Sequence, residues 1–304
     1  MSARELYVLG TASQVPTRYR NHNGYFLRWD DHGFLFDPGE GTQRQFTMAD
    51  LSVSSITQIC VTHFHGDHCL GLPGIIQRLS LDSVGHEVVV HFPESGAQFF
   101  DRLRNASIFY DVAKLDPRPI ADEGIVFEND SFVVTTRRLS HSVDSWGYRI
   151  QERDTRRMLP AKLAELGVRG PDIGKLKRDG SVEVDGRTVS VDEVSEMRRG
   201  QVFAFVMDTR ACDAAVELAR DADLLVCEST YLDDQAAMAE KAGHMTAAQA
   251  AELARDAGAR KLVLTHFSQR YPDQSMFVQE ASPIHADCVA VRDGDVIAVP
   301  SRHG

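Results

Sequence analysis

Apolar and β-branched residues gather along the chain in short runs, at residues 6–9, 24–27, 33–36, 56–62, 88–92, 125–127, 132–136, 202–207, 224–227, 261–265 and 296–299. Runs of that length, broken by glycine, proline and charge, predict strands. Helices are predicted over 71–81, 95–106, 211–221 and 246–257. The last has Thr246 at its N-cap, an alanine-rich body, and Gly258 in the place of a helix-ending glycine. Strand-like and helix-like segments alternate, which predicts a layered α/β architecture.

One stretch departs from this rhythm. Between Arg153 and Gly200 the pattern loosens into Gly167-Val168-Arg169-Gly170-Pro171 and its flanks, then a short hairpin-like segment centred on Gly186. Glycine, proline and charge without a strong hydrophobic face predict an insertion over 151–200 that stands off the core, within a single domain spanning 1–304. A plain solvent-exposed connection is the alternative reading of the same composition.

With 304 residues, 43% hydrophobic and 25% charged, the chain has ample material for one large core. The apolar run near the start is too short for a signal segment. No stretch approaches the roughly 18 apolar residues of a membrane span, so a cytoplasmic protein without membrane contact is expected. The cysteines, Cys60, Cys69, Cys212, Cys227 and Cys288, are scattered and form no C-x-x-C pair, which fits a reducing compartment. A net charge of −11 opposes indiscriminate binding to nucleic acid, so no DNA partner is expected and any RNA contact must be local. Residues 151–200 carry 11 Lys+Arg against 10 Asp+Glu, a net +1, while the remainder, with 22 against 34, carries −12.

The strongest chemical signal is His63-Phe64-His65-Gly66-Asp67-His68, placed directly after the run 56–62 and before the helix predicted from 71. Imidazole nitrogens and carboxylate oxygens are donors that zinc accepts. A straight strand would spread these donors in a widening row, so a turn is required, and Gly66 is expected to supply its freedom. Four ligand-type side chains in one turn suit two metal ions better than one. His141, Asp208 and His266 each follow an apolar run of their own, and in layered α/β proteins sites collect outside the carboxyl ends of strands. These seven residues form the expected site. His22, His32, His86, His91, His285 and His303 are read as exposed or structurally satisfied. A short echo, Val61-Thr62-His63-Phe64 against Leu264-Thr265-His266-Phe267, is what a duplicated strand-to-loop unit would leave.

The run from Val61 to Gly74 resembles the signature of the metallo-β-lactamase superfamily, and its Gly71-Leu72-Pro73-Gly74 tail resembles that of the ribonuclease Z family, transfer-RNA 3′-processing endonucleases. Leu9-Gly10-Thr11-Ala12-Ser13 with Pro16-Thr17, and Asp37-Pro38-Gly39-Glu40-Gly41-Thr42-Gln43-Arg44-Gln45, resemble two further segments of that family. His141 with Trp146-Gly147-Tyr148, Asp208-Thr209-Arg210, and the segment from His266 to Tyr271 stand where the family keeps its remaining ligand motifs. The resemblance implies a four-layer αββα sandwich with a protruding arm and two zinc ions per subunit, with manganese or iron as substitutes. It places His63, His65 and His141 on the first ion and Asp67, His68 and His266 on the second, with Asp208 bridging. From the residues alone, the assignment to individual ions stays open. The resemblance also implies His244 as a proton donor oriented by Glu228, with Cys227 standing where the family has a histidine. It casts 167–176 as the core of an arm that grips the elbow of transfer RNA, in a homodimer where the arm of one subunit serves the site of the other.

The implied activity is removal of the 3′ trailer from precursor transfer RNA, leaving a 3′-hydroxyl for CCA maturation. In that reaction Asp67 both ligates and orients, or takes a proton from, the attacking water, and His244 protonates the leaving oxygen. Two other readings compete. One is a hydrolase of small phosphodiesters or thioesters, which the acidic net charge favours; the other is a non-catalytic metal-binding scaffold presenting 151–200 to RNA or protein. Precursor transfer RNA and a chromogenic phosphodiester, tested side by side, separate the three.

Overall fold

Two seven-stranded sheets form the centre of the computed structural model, which describes residues 4–302; His303 lies outside that range. The strand order in the first sheet is Val296–Ala298, Arg4–Gly10, Gly24–Trp29, His32–Phe36, Gln58–Cys60, Val88–Pro93 and Leu115–Ile120. In the second it is Cys288–Ala290, Leu262–Thr265, Leu224–Glu228, Val202–Val206, Trp146–Glu152, Phe132–Arg138 and Gly124–Glu128.

Alternation along each strand sorts side chains between two apolar faces. Leu6, Val8, Tyr25, Leu27, Phe34 and Phe36 turn towards the second sheet and pack with Tyr148, Phe203, Phe205 and Val226. Phe36 stacks on Phe205 at 4.6 Å; truncating either to alanine would cost about 3–5 kcal/mol. The alternate residues Leu9, Phe26 and Leu35 turn outward, against Phe46, Leu72, Ile75, Ile76 and Phe100. Those belong to the helices Thr42–Met48, Leu72–Leu81 and Ala97–Arg104. On the far side Leu225, Cys227 and Leu264 pack against the helices Asp213–Ala219, Ala247–Ala257 and Ser275–Ala281. Three separate apolar layers thus hold together a helix–sheet–sheet–helix sandwich.

Helix Ala247–Ala257 forms as its sequence predicts. Thr246 accepts a hydrogen bond from the Gln249 N–H in a full capping box, and Gly258 ends the helix at φ 68°. The loosely patterned segment between Glu152 and Val202 is more structured than its composition predicts. Strands Thr155–Met158 and Ser195–Arg198 pair as a stem, beyond which lie helices Pro160–Glu165 and Pro171–Asp179 and the hairpin Ser181–Val184/Arg187–Ser190. Pro160 and Pro171 each sit in a first helical turn, where their missing N–H costs nothing. Leu163, Val168, Leu176, Val182, Val189 and Val194 form a small core apart from the other three.

Parallel pairing brings the carboxyl ends of several strands to one edge: His32–Phe36 with Gln58–Cys60, and Leu224–Glu228 with both Val202–Val206 and Leu262–Thr265. Beneath that edge the sheets are tied together. The Trp146 N–H donates to the Thr62 carbonyl at 3.0 Å, and the Tyr148 hydroxyl donates to the Val61 carbonyl at 2.8 Å.

Candidate metal centre

The chemically distinctive side chains leave the ends of these strands, and the backbone there takes unusual shapes. Asp37, Asp208 and His266 adopt left-handed φ angles of 44°, 48° and 62°. Aspartate and histidine are among the few non-glycine residues that visit this region, and such strain concentrates at functional sites. Gly66 does not take a positive φ; the turn expected from glycine freedom is instead one helical turn, Gly66–Cys69, with His65 at its N-cap. Successive helical residues point about 100° apart, which separates Asp67 from His68.

All seven expected residues converge. His63, His65, His141 and Asp208 form one group of donors, and Asp67, His68 and His266 a second, the donor atoms within each lying within 4.8 Å of one another. His63 Nε2 stands 2.9 Å from His65 Nδ1, which is 3.4 Å from His141 Nε2. Asp208 lies between the groups: Oδ2 is 3.5 Å from His63 Nε2 and 3.3 Å from His68 Nε2, and Oδ1 is 3.2 Å from His266 Nε2. Asp67 Oδ2 stands 3.4 Å from His68 Nε2 and 3.5 Å from His266 Nε2.

Two buried carboxylates set which face each ring presents. Asp37 accepts from the Thr62 N–H and hydroxyl, at 2.7 and 2.8 Å, and from His68 Nδ1 at 2.9 Å. With its own proton given to Asp37, the Thr62 oxygen accepts from His63 Nδ1 at 3.0 Å. Glu228 repeats the arrangement: the Thr230 hydroxyl donates to it at 2.7 Å and accepts from His266 Nδ1 at 2.9 Å. His141 Nδ1 donates to the Gly243 carbonyl at 2.8 Å. In each case Nδ1 carries the hydrogen, so the Nε2 lone pair faces the cluster, the tautomer a metal ligand needs.

The residues fit divalent cations. His68 Nε2, His266 Nε2 and Asp208 Oδ1 are buried with no hydrogen-bond partner, which is costly for polar atoms unless a cation receives them. Burial lowers the basicity of His63, His65 and His141, so these rings are neutral at pH 7. For His68, burial is outweighed by the carboxylates of Asp208, Asp67 and Asp37, which raise its pKa well above the ordinary value. The same negative charge that attracts a proton there attracts a metal.

His244 stands beside the cluster, its ring 5.2 Å from that of His141 and 5.5 Å from that of His266. Nδ1 lies 3.0 Å from Glu228 Oε1. Burial opposes charging it, but the Glu228 and Asp208 carboxylates dominate and push its pKa up to about 9. It also falls in a third donor group with Asp208 and His266, so geometry alone permits it as ligand or as proton donor. The cleft over the cluster encloses about 500 Å³ and is lined by Gln14, His22, Ser142, Tyr231, His244 and Arg270 among others.

Residues 17–153 match the metallo-beta-lactamase superfamily model, and 187–267 the model of a beta-lactamase superfamily domain. Ribonuclease Z of Nocardia farcinica is 59% identical over 304 residues, covering 99% of this chain and 100% of that protein. The chain belongs to the ribonuclease Z family. Ribonuclease Z of Streptomyces coelicolor is 55% identical, again covering 99% of this chain and 100% of its own. Among solved structures, the short form of human tRNase Z superposes with a TM-score of 0.72 at 26% identity, over 98% of this chain and 100% of that one.

The structure gives Cys227, which the sequence resemblance sets in the place of a histidine, a plain role. Cys227 is fully buried among Ala215, Leu218 and Ala247, on the helix-covered face of its strand, whereas Glu228 points to the site. The side chain at 227 therefore faces away from the metal centre. Asp37, Thr62 and Thr230 are functional residues that the sequence reading passed over. Asp37 directly follows the apolar run 33–36, which was the available signal; the two threonines carried none.

Proposed function

We propose that this ribonuclease Z family member is a metal-dependent endoribonuclease that removes the 3′ trailer from precursor transfer RNA and leaves a 3′-hydroxyl for CCA maturation. The observation that carries the reading is the convergence of seven donors from four chain segments into two groups with Asp208 between them, and His244, its pKa pushed up against burial to about 9 by Glu228 and Asp208, beside them. Zinc suits this nitrogen and oxygen donor set, with manganese or iron as substitutes. Bound there, two ions would supply charge to hold a scissile phosphate and to stabilise both attacking and leaving oxygens. His63, His65 and His141 would hold one, and Asp67, His68 and His266 the other, with Asp208 serving both.

The chain's own residues divide the remaining work. Asp67 is a carboxylate that lines the cleft and is 8% exposed, placed to orient the attacking water and take its proton. As the bond between phosphorus and the 3′ oxygen breaks, that oxygen needs a proton, and His244 Nε2 delivers it while Glu228 stabilises the ring. Residues 151–200 present Arg169, Lys175, Lys177 and Arg178 to solvent on their small separate core, a local basic surface able to meet a phosphate backbone in a chain otherwise acidic. We read it as the part that grips transfer RNA beyond the cleavage point, serving a homodimer partner, in the cytoplasm. Among the described residues no helix is long and apolar enough to cross a membrane.

The test is incubation of purified protein with precursor transfer RNA and, separately, with a chromogenic phosphodiester, mapping the RNA ends. Cleavage at the 3′ boundary with a 3′-hydroxyl product is expected. Turnover of the chromogenic ester alone would overturn the assignment in favour of a small-substrate hydrolase.

A further inference from the structure

His22 has no part in the chemistry above, and by sequence it is one more isolated histidine. In the fold it is 8% exposed and lines the cleft. Its Nε2 lies 3.2 Å from the carbonyl oxygen of Gln14. Gln14 is left-handed, with φ 54°, and its backbone N–H donates to Asp67 Oδ2 at 2.7 Å. That oxygen is the one facing His68 and His266.

The preceding residues are stitched on both sides. The Ala12 N–H donates to the Asn21 carbonyl and the Ser13 N–H to the Phe267 carbonyl, and Ala12 bridges both His22 and Phe267. Past Ser13 the Val15 N–H donates to the Ser13 carbonyl at 2.6 Å around Gln14, and the Thr17 N–H donates to the Arg20 carbonyl at 2.8 Å, but neither bond engages an atom of Gln14 itself. Glutamine has no special tolerance for a positive φ, so the conformation that aims its N–H gains from a bond to Gln14 itself as well as from the turn closed around it. The carbonyl of Gln14 is the available handle, and His22 is its side-chain partner, with the exposed Glu40 carboxylate 3.8 Å from the other ring nitrogen.

We propose that His22 is a positioning residue: by holding the Gln14 carbonyl it locks the left-handed backbone of Gln14, whose N–H, in the preceding peptide group, selects and orients the metal-facing oxygen of Asp67. The inference rests on Asp67 acting in the second donor group. An N–H on Oδ2 fixes the rotation of the carboxylate and stabilises its charged form. Hydrogen-bond partners one step behind a ligand typically control metal affinity and activity about 10–100-fold.

The experiment compares His22→Leu, His22→Gln and His22→Asn with the unaltered protein. Zn²⁺ is titrated into each metal-free protein against a chelating dye, Co²⁺ absorption spectra are recorded, and kcat and KM are measured on precursor transfer RNA. The glutamine amide nitrogen overlays Nε2 and reaches the carbonyl; that of asparagine stops short. His22→Leu and His22→Asn should each lower kcat about 10–100-fold, weaken one of two Zn²⁺ equivalents about tenfold and alter the Co²⁺ spectrum, with KM changed less than about twofold. His22→Gln should restore both readouts to within about threefold. Unaltered kcat and Zn²⁺ affinity in His22→Leu would overturn the proposal, as would a glutamine variant no better than asparagine. If His22→Leu fails to fold, the glutamine and asparagine pair decides alone. Asp67→Ala separates this from the reading beneath it: full turnover and both Zn²⁺ equivalents there would defeat the Asp67 role itself, whereas a crippled Asp67→Ala beside a normal His22→Leu defeats only His22.

Discussion

Replacing His244 by alanine removes the proposed proton donor while leaving the metal scaffold in place. The Gly243 carbonyl that orients His141 belongs to the backbone, and Glu228 keeps the Thr209 N–H at 2.6 Å, the Met245 N–H at 3.2 Å and the Thr230 hydroxyl. A positioned general acid contributes about 10²–10⁴-fold, or about 2.7–5.4 kcal/mol of barrier. The loss should depend on the leaving group. A ribose 3′ oxygen is a poor anion and needs the proton as its bond to phosphorus breaks; an aryl oxygen leaves as a stable anion and does not. Single-turnover cleavage of precursor transfer RNA should therefore fall about 10²–10⁴-fold, and hydrolysis of a chromogenic aryl phosphodiester less than about tenfold, with metal content by atomic emission near the unaltered level. Loss of metal would show that the donor group of His244 with Asp208 and His266 is a real coordination set. Equal losses on both substrates would show that His244 does something other than protonate.

Asp37→Asn keeps the size of the side chain but cannot accept from Thr62 and His68 together, so metal affinity should fall about 10–100-fold in chelator competition; unchanged affinity would mean that Asp37 only braces the strand end. Cys227→His, which supplies the histidine that the sequence resemblance implies there, should lower stability by about 1–3 kcal/mol by overpacking the alanine-rich layer, read as the denaturant midpoint, with no gain in turnover. His91 is fully buried, and burial, helped by the Arg118 charge, lowers its pKa to about 4 from 6.5. Because the folded value lies below the unfolded one, its contribution is complete above pH 6.5 and is lost as pH falls towards 4, about 2 kcal/mol by pH 5; His91→Leu should remove that part of the pH dependence in urea unfolding, and an undiminished dependence would refute it.

What the sequence carried depended on how local the cause was. Strands with both faces apolar, such as Gly24–Trp29 and Val202–Val206, announced themselves because each is buried by its own composition. Leu115–Ile120 did not, because Pro117 and Pro119 speak against a strand; they are tolerated because it is the outermost strand of its sheet, paired on one side only. Helix Thr42–Met48 lacked a capping side chain, starting instead from left-handed Gly41, and so gave no start signal. The ligand-type residues were legible from their places at strand ends. Their supports were not: Thr62 serves His63 only because Asp37, 25 residues earlier, takes the threonine proton, and Gln14 reaches Asp67 across 53 residues with a backbone atom that has no letter in the sequence.

The faint echo between residues 61–64 and 264–267 gains meaning from these supports. In each half a carboxylate ends one strand and a histidine follows the parallel neighbour: Asp37 with His63, and Glu228 with His266. Each carboxylate holds two imidazoles, one directly and one through a threonine hydroxyl. The halves differ in where the directly held ring comes from. His68 arrives from the helical turn beside its own strand, which puts Nε2 3.3 Å from Asp208 and inside the cluster. His244 arrives after helix Ala236–Ala242, behind a glycine whose carbonyl is already given to His141, and its ring lies at the cleft side of the cluster. One carboxylate-to-imidazole unit used twice thus furnishes a ligand in one half and, in the proposed reaction, the proton donor in the other. The loop that delivers the second histidine, and not the chemistry of the pair, sets that division.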